Sequence, residues 1–391
     1  MIDPQKIPHL MKYMGSKREI LEFILSSVKD LNIKSEWFCD LFAGTAVVGC
    51  SLRDKYNLQI NDIQTYSSVF ANTYLMNLGK GFTAERINEI EAHAKSLVAE
   101  FYSKYPELKF PYFTKISFDK LSKIEKKQQN LINKEFDVGF HLFTKYYSGT
   151  YWSFDQCVWI DSIRAIAEEC HGTPEFYIIL SSLIYAMSYT SQGTGHFAQF
   201  RDVNKENMSD ILIYRCRDIW PLFEKKFNEL INVLTIKVRR KFRITSLDYL
   251  DCLRIIEENS IVYADPPYSS VHYSRFYHAI ETLVRYDYPH VKYKGRYRED
   301  RHQSPFSKKT EVASAFKLLF ENIKLRKSHI ILSYSDNGMI PPKDILRIGK
   351  DTLGRSYSSK IFKKGHKHSK MGRSDEHNME VNELLISFKR N

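Results

Sequence analysis

The sequence predicts an α/β fold, a doubly wound sheet interrupted by an inserted, mostly helical lobe. Three observations predict it. Residues 37–62 read as strand, glycine turn, helix, strand and acid, the first βαβ unit of such a sheet. Residues 260–268, Ser-Ile-Val-Tyr-Ala-Asp-Pro-Pro-Tyr, read as a buried strand halted by an acid and two prolines, which can continue neither a ladder nor a helix. Between them, from residue 79 to 240, strand patterns give way to amphipathic helices and aromatic loops. The expected organisation is an amino-terminal part (1–78) and a carboxy-terminal part (241–391) of one sheet domain, with 79–240 inserted between them. Helices that simply cover the sheet are the competing reading of that middle block.

In chain order, residues 9–17 (His-Leu-Met-Lys-Tyr-Met-Gly-Ser-Lys) form a loop with Gly15 as its flexible point. A helix follows, with Ser16 as N-cap and Ile20, Phe23, Ile24, Val28 and Leu31 on one face. Residues 37–42 are a buried strand, 43–49 a turn opening into a helix, and 58–62 a second strand ending in an acid. Gly44 and Asp62 stand 18 residues apart (62 − 44), close to the spacing at which a carboxylate meets a ribose hydroxyl. The turn lacks a G-x-G-x-x-G run, which argues against a pyrophosphate cradle and for a nucleoside cofactor without phosphates. In the middle block, 83–101 is an amphipathic helix with Ile87, Ile90, Ala94, Leu97, Val98 and Phe101 inward. Residues 120–135 are a charged helix or helix pair, and 161–169 and 176–187 are further helices. Loops at 146–154 and 190–201 separate these helices. Beyond the block, 244–248 is a strand ending in Asp248, and 279–286 is a helix. A basic stretch holds Lys292, Lys294, Arg296, Arg298 and Arg301, and 328–335 is a strand. A second basic segment, rich in turns, contains Lys360, Lys363, Lys364, Lys367, Lys370 and Arg373, and 383–388 is the last strand.

Composition narrows the classes. The chain has 391 residues, 43% of them hydrophobic, which is enough for a real core. A net charge of +12, with 25 Tyr and 25 Phe among the cations, suits a polyanion whose bases can stack. The six cysteines (39, 50, 157, 170, 216 and 252) form no CxxC pair and no zinc-like cluster, so they are expected as reduced thiols, with no metal. The opening residues are polar and proline-broken, and the longest apolar run, 176–187, is too short to span a bilayer. A soluble intracellular protein without a membrane partner is expected.

Asp265 thus stands at the carboxyl end of a core strand, where ligands of open α/β sheets bind. Its carboxylate and a prolyl carbonyl can accept hydrogen bonds from a flat, weakly nucleophilic amine, as on adenine or cytosine. Tyr268 offers a face on which such a base can stack. Chance would place Asp-Pro-Pro-Tyr in roughly one chain of this size in several hundred, so the functional reading outweighs an ordinary proline turn.

With acids at three strand ends (Asp62, Asp248 and Asp265), the chain resembles the adenine-specific N6 DNA methyltransferases of the Dam-like group. The motif order matches: Lys12-Tyr13-Met14-Gly15-Ser16-Lys17, then Asp40-Leu41-Phe42-Ala43-Gly44-Thr45, an inserted region, and a late Asp265-Pro266-Pro267-Tyr268. One departure is Ala46, where that family often has a second glycine; alanine fits there if its φ is negative. The resemblance implies an S-adenosylmethionine-dependent methyltransferase sheet with 79–240 as target-recognition lobe. It implies that S-adenosylmethionine binds along Tyr13, Met14, Gly15 and Lys17, along Phe42, Ala43, Gly44 and Thr45, and at Asp265. Lys17 would lie near the methionine carboxylate, Asp62 on the ribose hydroxyls and Asp248 at the adenine amino group. Asp265, Pro266, Pro267 and Tyr268 would be the catalytic set. The partner would be double-stranded DNA with one adenine flipped out, stacked on Tyr268 and on Phe276 or Tyr273. Such an enzyme is expected in the cytoplasm on the nucleoid of a bacterium or in a phage, with a cognate restriction nuclease as a candidate partner.

Base edges would be read by Gln199 and Arg201 in the 190–201 loop, and phosphates held by Lys292, Lys294 and Arg296. Cytosine-N4 or RNA amino methylation uses the same chemistry and stands as an alternative. A catalytically silent nucleic-acid-binding protein is disfavoured by the intact acid at 265 and ring at 268. A nucleotide-dependent oxidoreductase is disfavoured by the lone glycine at 44.

Overall fold

Seven strands make the central sheet in the computed structural model, which describes residues 7–78, 85–193, 195–234, 237–270, 272–367 and 380–391. They are β1 (Trp37–Asp40), β2 (Asn57–Asn61), β3 (Phe242–Thr245), β4 (Ile261–Ala264), β7 (His329–Ser335), β8 (Tyr357–Lys367) and β9 (Glu380–Arg390). A separate hairpin is formed by β5 (Val291–Lys292) and β6 (Tyr297–Arg298). The order is β3-β2-β1-β4-β7-β9-β8. From β3 to β7 all pairs are parallel, and β9 runs antiparallel to both its neighbours. The chain lays down β1, β2 and β3 in one direction, then returns to the other side of β1 with β4. That reversal opens a crevice at the carboxyl ends of β1 and β4.

Side-chain alternation explains the two cores. Phe38, Ile261, Tyr263, Ile331 and Leu385 point to one face, and Cys39, Val262, Ala264, Ile330, Leu332, Ile386 and Phe388 to the other. Both faces are covered, so β4 and β7 are wholly buried along their length. The second face is roofed by α11 (Tyr249–Ile255), α14 (Val312–Leu325) and α15 (Pro342–Leu353). The first face carries α1 (Leu21–Asp30), α2 (Val47–Ser51), α3 (Thr65–Leu75) and α13 (His278–Arg285). The helices α4 (Arg86–Lys104), α5 (Phe118–Gln129), α6 (Leu142–Tyr147), α7 (Phe154–Glu169), α8 (Pro174–Thr190), α9 (Met208–Arg215) and α10 (Ile219–Val233) fill the interval before β3. Of these, α8 joins α3 directly: Thr73 Oγ1 lies 2.7 Å from Ser181 Oγ and donates to the Tyr177 carbonyl at 3.0 Å. One apolar cluster therefore runs from the sheet through α3 into α7, α8 and α10. A smaller cluster (Phe101, Leu108, Phe136, Phe154 and Val158) lies apart from it. Among the described residues no helix is long and apolar enough to cross a membrane.

Several local expectations are corrected. Ser16 makes no side-chain cap bond; a 3-10 turn, Lys17–Ile20, precedes α1 instead. The charged helix at 120–135 ends at Gln129. The strand expected over 244–248 ends at Thr245, because the Asp248 side chain accepts the Leu250 N–H at 2.9 Å and starts α11. As far as Lys367, the basic segment expected to be rich in turns is in fact the edge strand β8, paired with β9. Lysines at 360 and 363 suit an exposed edge, where they discourage pairing with another chain. Lys370 and Arg373 lie outside the described residues, as does Thr194.

Candidate active site

Asp40 closes β1, and its Oδ2 accepts the Gly49 N–H at 2.8 Å, which caps the first turn of α2. Its Oδ1 is buried without a hydrogen-bond partner among the described residues, and burial pushes the carboxyl up to about 7. Past Asp40 the chain turns at Gly44, where φ is +53° and a Cβ would come within 3.1–3.3 Å of the Tyr13 ring. Glycine is favoured there on both counts. The Gly44 N–H donates to Asp62 Oδ2 at 2.8 Å, and the Gln64 N–H to Asp62 Oδ1 at 2.9 Å. Burial raises Asp62 to about 6, and those two donors hold it from rising further. Ala46 departs from expectation: its φ is +58°, the left-handed region in which glycine is at ease. The turn imposes that angle, at a cost of about 1–2 kcal/mol for a residue with a Cβ.

Asp265 follows β4 directly. Its Oδ1 lies 3.1 Å from Lys17 Nζ, and the same ammonium lies 3.4 Å from Glu383 Oε1 on β9. The three side chains are 18%, 6% and 3% exposed, so these charges interact with little water between them. Burial raises Asp265 to about 6, with Lys17 pulling it down and Glu383 pushing it up. Burial alone would lower Lys17, but Asp265 and Glu383 together hold it well above its ordinary value.

Lys17, Asp40, Asp62 and Asp265 line one cleft of about 1010 Å³, part of it open to solvent. Its wall contains Tyr13, Gly15, Lys17, Phe42, Ala43, Gly44, Thr45, Asp62, Asp248, Asp265, Pro266, Pro267 and Tyr268. Met14 is not in the wall; its N–H donates to the Tyr277 hydroxyl at 2.6 Å and ties the loop to α13. Of the two rings considered beside Tyr268, Tyr273 lines the cleft, whereas Phe276 stacks on His196 (centroids 4.3 Å apart, planes 10° apart). Tyr13 stacks on Tyr277 at 4.6 Å and on Tyr273 at 5.6 Å, so the amino-terminal loop is held against the segment that follows Tyr268.

The residues expected to meet DNA lie elsewhere. Gln199 is exposed, while the Arg201 guanidinium donates to the Gln192 carbonyl at 2.9 Å and pairs with Asp210 at 2.5 Å. The 190–201 loop is pinned from beneath by Gln192, which donates to the carbonyls of Thr150 (2.7 Å) and Arg201 (2.9 Å). Lys292 pairs with Glu299 at 2.5 Å, Lys294 with Asp202, and Arg296 donates to Asn133 at 2.6 Å. Arg298 is buried and forked onto Asp287 at 2.5 and 2.7 Å, a structural use of a cation read from sequence as part of a basic surface. Tyr293, at the tip of the β5–β6 hairpin, is 78% exposed. The hairpin beneath it is braced by Tyr151, whose hydroxyl donates to the Gly295 carbonyl at 3.0 Å, and by Tyr297, whose hydroxyl donates to the Ala198 carbonyl.

Two acids of the site carried no role in the sequence reading. Asp40 sat inside the quoted glycine motif, and its position as the last residue of β1 was the available signal. Glu383 had none: only the antiparallel pairing of β9 with β7, Ser335 opposite Glu383, brings it to Lys17.

A family model described as D12 class N6 adenine-specific DNA methyltransferase matches residues 13–151 and 175–333, more than half of the chain. The chain is 24% identical to the modification methylase LlaI of Lactococcus lactis subsp. lactis, over 87% of its own length and 48% of that relative's. It is 27% identical to the type II methyltransferase M.FokI of Planomicrobium okeanokoites, over 96% of its length and 51% of the relative's. With the type II methyltransferase M.NlaIII of Neisseria lactamica it shares 22% identity, over 84% and 85% of the two chains. The chain thus spans about half the length of the first two relatives and most of the third.

Proposed function

The chain belongs to the D12 class of N6 adenine-specific DNA methyltransferases, and from that premise we propose that it moves a methyl group from S-adenosylmethionine to N6 of an adenine flipped out of duplex DNA. The observation that carries the reading is Asp265, a half-buried carboxylate at the end of β4 in a cleft shared with the Gly44–Asp62 turn. The residues present fit the cofactor: a close-approach glycine at 44, a ring at Tyr13 and an acid at 62 line one wall. Bound there, the cofactor would supply a methyl group already activated by its sulfonium.

The chain's own work is on the nucleophile. Asp265 and the Pro266 carbonyl accept the N6–H hydrogens, localising a lone pair otherwise delocalised into the ring and stabilising the positive charge that grows on nitrogen. Tyr268 and Tyr273 provide rings against which the extruded base stacks. Each Asp62 oxygen has a second lone pair beyond its backbone donor, which leaves acceptors for ribose hydroxyls. Asp248 takes the cofactor's adenine amino group, and the third Lys17 proton the methionine carboxylate. Residues 79–240 serve as the target-recognition region. The braced hairpin with Tyr293, Lys292, Lys294 and Arg296, and the loop with Gln199 and Arg201, form the DNA-facing rim. Pairing with a cognate restriction nuclease, in the cytoplasm, is the setting proposed for the whole protein, by likeness to the modification methylases.

The test incubates the purified protein with methyl-labelled S-adenosylmethionine and duplex DNA and identifies the labelled nucleoside. N6-methyladenine is expected. N4-methylcytosine would reassign the base, and unlabelled DNA would overturn the reading.

A further inference from the structure

We propose that Arg301 and His272 hold the phosphate of the extruded nucleotide at the mouth of the cleft. The proposal deepens the reading of Asp265, Tyr268 and Tyr273 as the pocket for a flipped base, and it rests on that reading. In the basic stretch that ends at Arg301, the other cations have protein partners: Lys292 has Glu299, Lys294 has Asp202, Arg296 has Asn133, and Arg298 has Asp287 and Asp300. The half-buried Arg301 makes no hydrogen bond and no ion pair among the described residues. Its Nη1 is closed off by protein, whereas Nε and Nη2 are not, so the guanidinium is seated by one corner and keeps open N–H groups. His272 is arranged likewise, with Nδ1 buried and unpaired among the described residues and Nε2 left open.

Both residues belong to the cleft mouth. His272 and His302 line the wall beside Tyr268 and Tyr273. The helix α12 (Tyr273–Phe276) starts at His272, and the Ser274 hydroxyl donates to the His302 carbonyl, which fastens the two segments together. Burial first, then Arg301, Lys308 and His302, hold the His272 pKa below its ordinary value, so the ring stands among cations. The acids nearby are committed elsewhere: Glu311 to Lys308 at 3.1 Å, Asp300 to Arg298 and Arg285, and Asp248 to the first turn of α11. A half-buried guanidinium without an acceptor costs desolvation and returns nothing to the fold. Given an anion, it makes short, charge-assisted bonds in a fork. A base that reaches Asp265 brings its own phosphate to the mouth, because sugar and phosphate stay with the strand. Pinning that phosphate opposes return of the base to the stack.

The experiment uses the duplex site that the parent methylates, with the phosphates flanking the target adenine replaced one at a time by neutral methylphosphonate. Single-turnover transfer is measured for parent, Arg301→Gln, Arg301→Lys and His272→Asn. In the parent, one of the replacements should slow transfer by roughly tenfold or more. Arg301→Gln should lose as much on unmodified DNA, lose nothing further from that one replacement, and keep the parent's response to the others. Arg301→Lys should recover part of the loss, with cofactor affinity and melting temperature at the parent's values throughout. Losses that simply add at every phosphate overturn the proposal. So does an Arg301→Gln loss that traces to weaker cofactor binding or to a lower melting temperature. Should Arg301→Gln not fold, His272→Asn decides by the same cycle. A parent that methylates no DNA defeats the proposed function, whereas additive losses in a parent that methylates adenine defeat the phosphate site alone.

Discussion

Asp161 in the helical block is buried and Asp265 in the cleft is half-buried, and the two aspartates are treated in opposite ways. Asp161 accepts the N–H groups of Phe143 (2.9 Å) and Thr144 (2.8 Å), the Thr144 hydroxyl (2.6 Å) and the Tyr286 hydroxyl (2.5 Å). Every donor is protein, and the carboxylate welds the start of α6 to α7 and the end of α13. Asp265 has a shared ammonium at 3.1 Å, and Asp40 nearby has an oxygen with no hydrogen-bond partner among the described residues. A satisfied buried acid is architecture. An under-satisfied one at the switch point of a doubly wound sheet is held ready for a ligand.

That contrast can be broken by substitution. Asp161→Ala strands four donors and should cost about 3–5 kcal/mol in urea unfolding, the largest loss expected of any single site named here. A loss under about 1 kcal/mol would mean that the network is ornamental. Within the cleft, Asp40→Asn should have the opposite sign. The amide can still accept the Gly49 N–H while the buried charge disappears, a gain of about 1–2 kcal/mol at pH 8. The sign follows from the folded pKa of about 7, well above the ordinary 3.8. The penalty of ionising Asp40 is present in full above pH 7 and relieved as the pH falls through that value. The advantage of the variant should therefore shrink toward pH 5, and a pH-independent gain would contradict the account.

Two smaller effects sharpen the comparison. Asp62→Ala removes the acceptor that orders the Gly44 turn, and cofactor affinity by titration calorimetry should fall about tenfold. Unchanged affinity would take Asp62 out of the site. Lys292→Gln with Lys294→Gln should flatten the salt dependence of DNA binding by at most about two in log–log slope, since each lysine already has an acid beside it. A larger change would show that DNA displaces Glu299 and Asp202.

The sheet and most of the cleft were legible because strand ends advertise themselves. Asp265 is followed by two prolines, and Gly44 and Asp62 frame a βαβ unit whose periods of 2 and 3.6 are plain. What could not be read was set by partners far along the chain. The lysines of β8 look like a turn-rich surface until β9 is laid beside them. Arg298 looks like a phosphate contact until Asp287 and Asp300 close on it. Ala46 is expected to fit with a negative φ, and only the tight turn after β1 reveals its left-handed angle. Glu383 is one acid in an unremarked strand until the sheet order carries it to Lys17.

The central claim is that Asp265 is kept for the reaction and contributes little to the fold. Single-turnover transfer of labelled methyl to duplex DNA by Asp265→Ala, with its melting temperature measured on the same sample, tests it most directly. Transfer should fall by on the order of 10²–10³ or more, while the melting temperature stays level or rises as Lys17 keeps Glu383 for itself. A variant that transfers methyl at close to the parent rate, or that loses activity only because it has unfolded, would contradict the account.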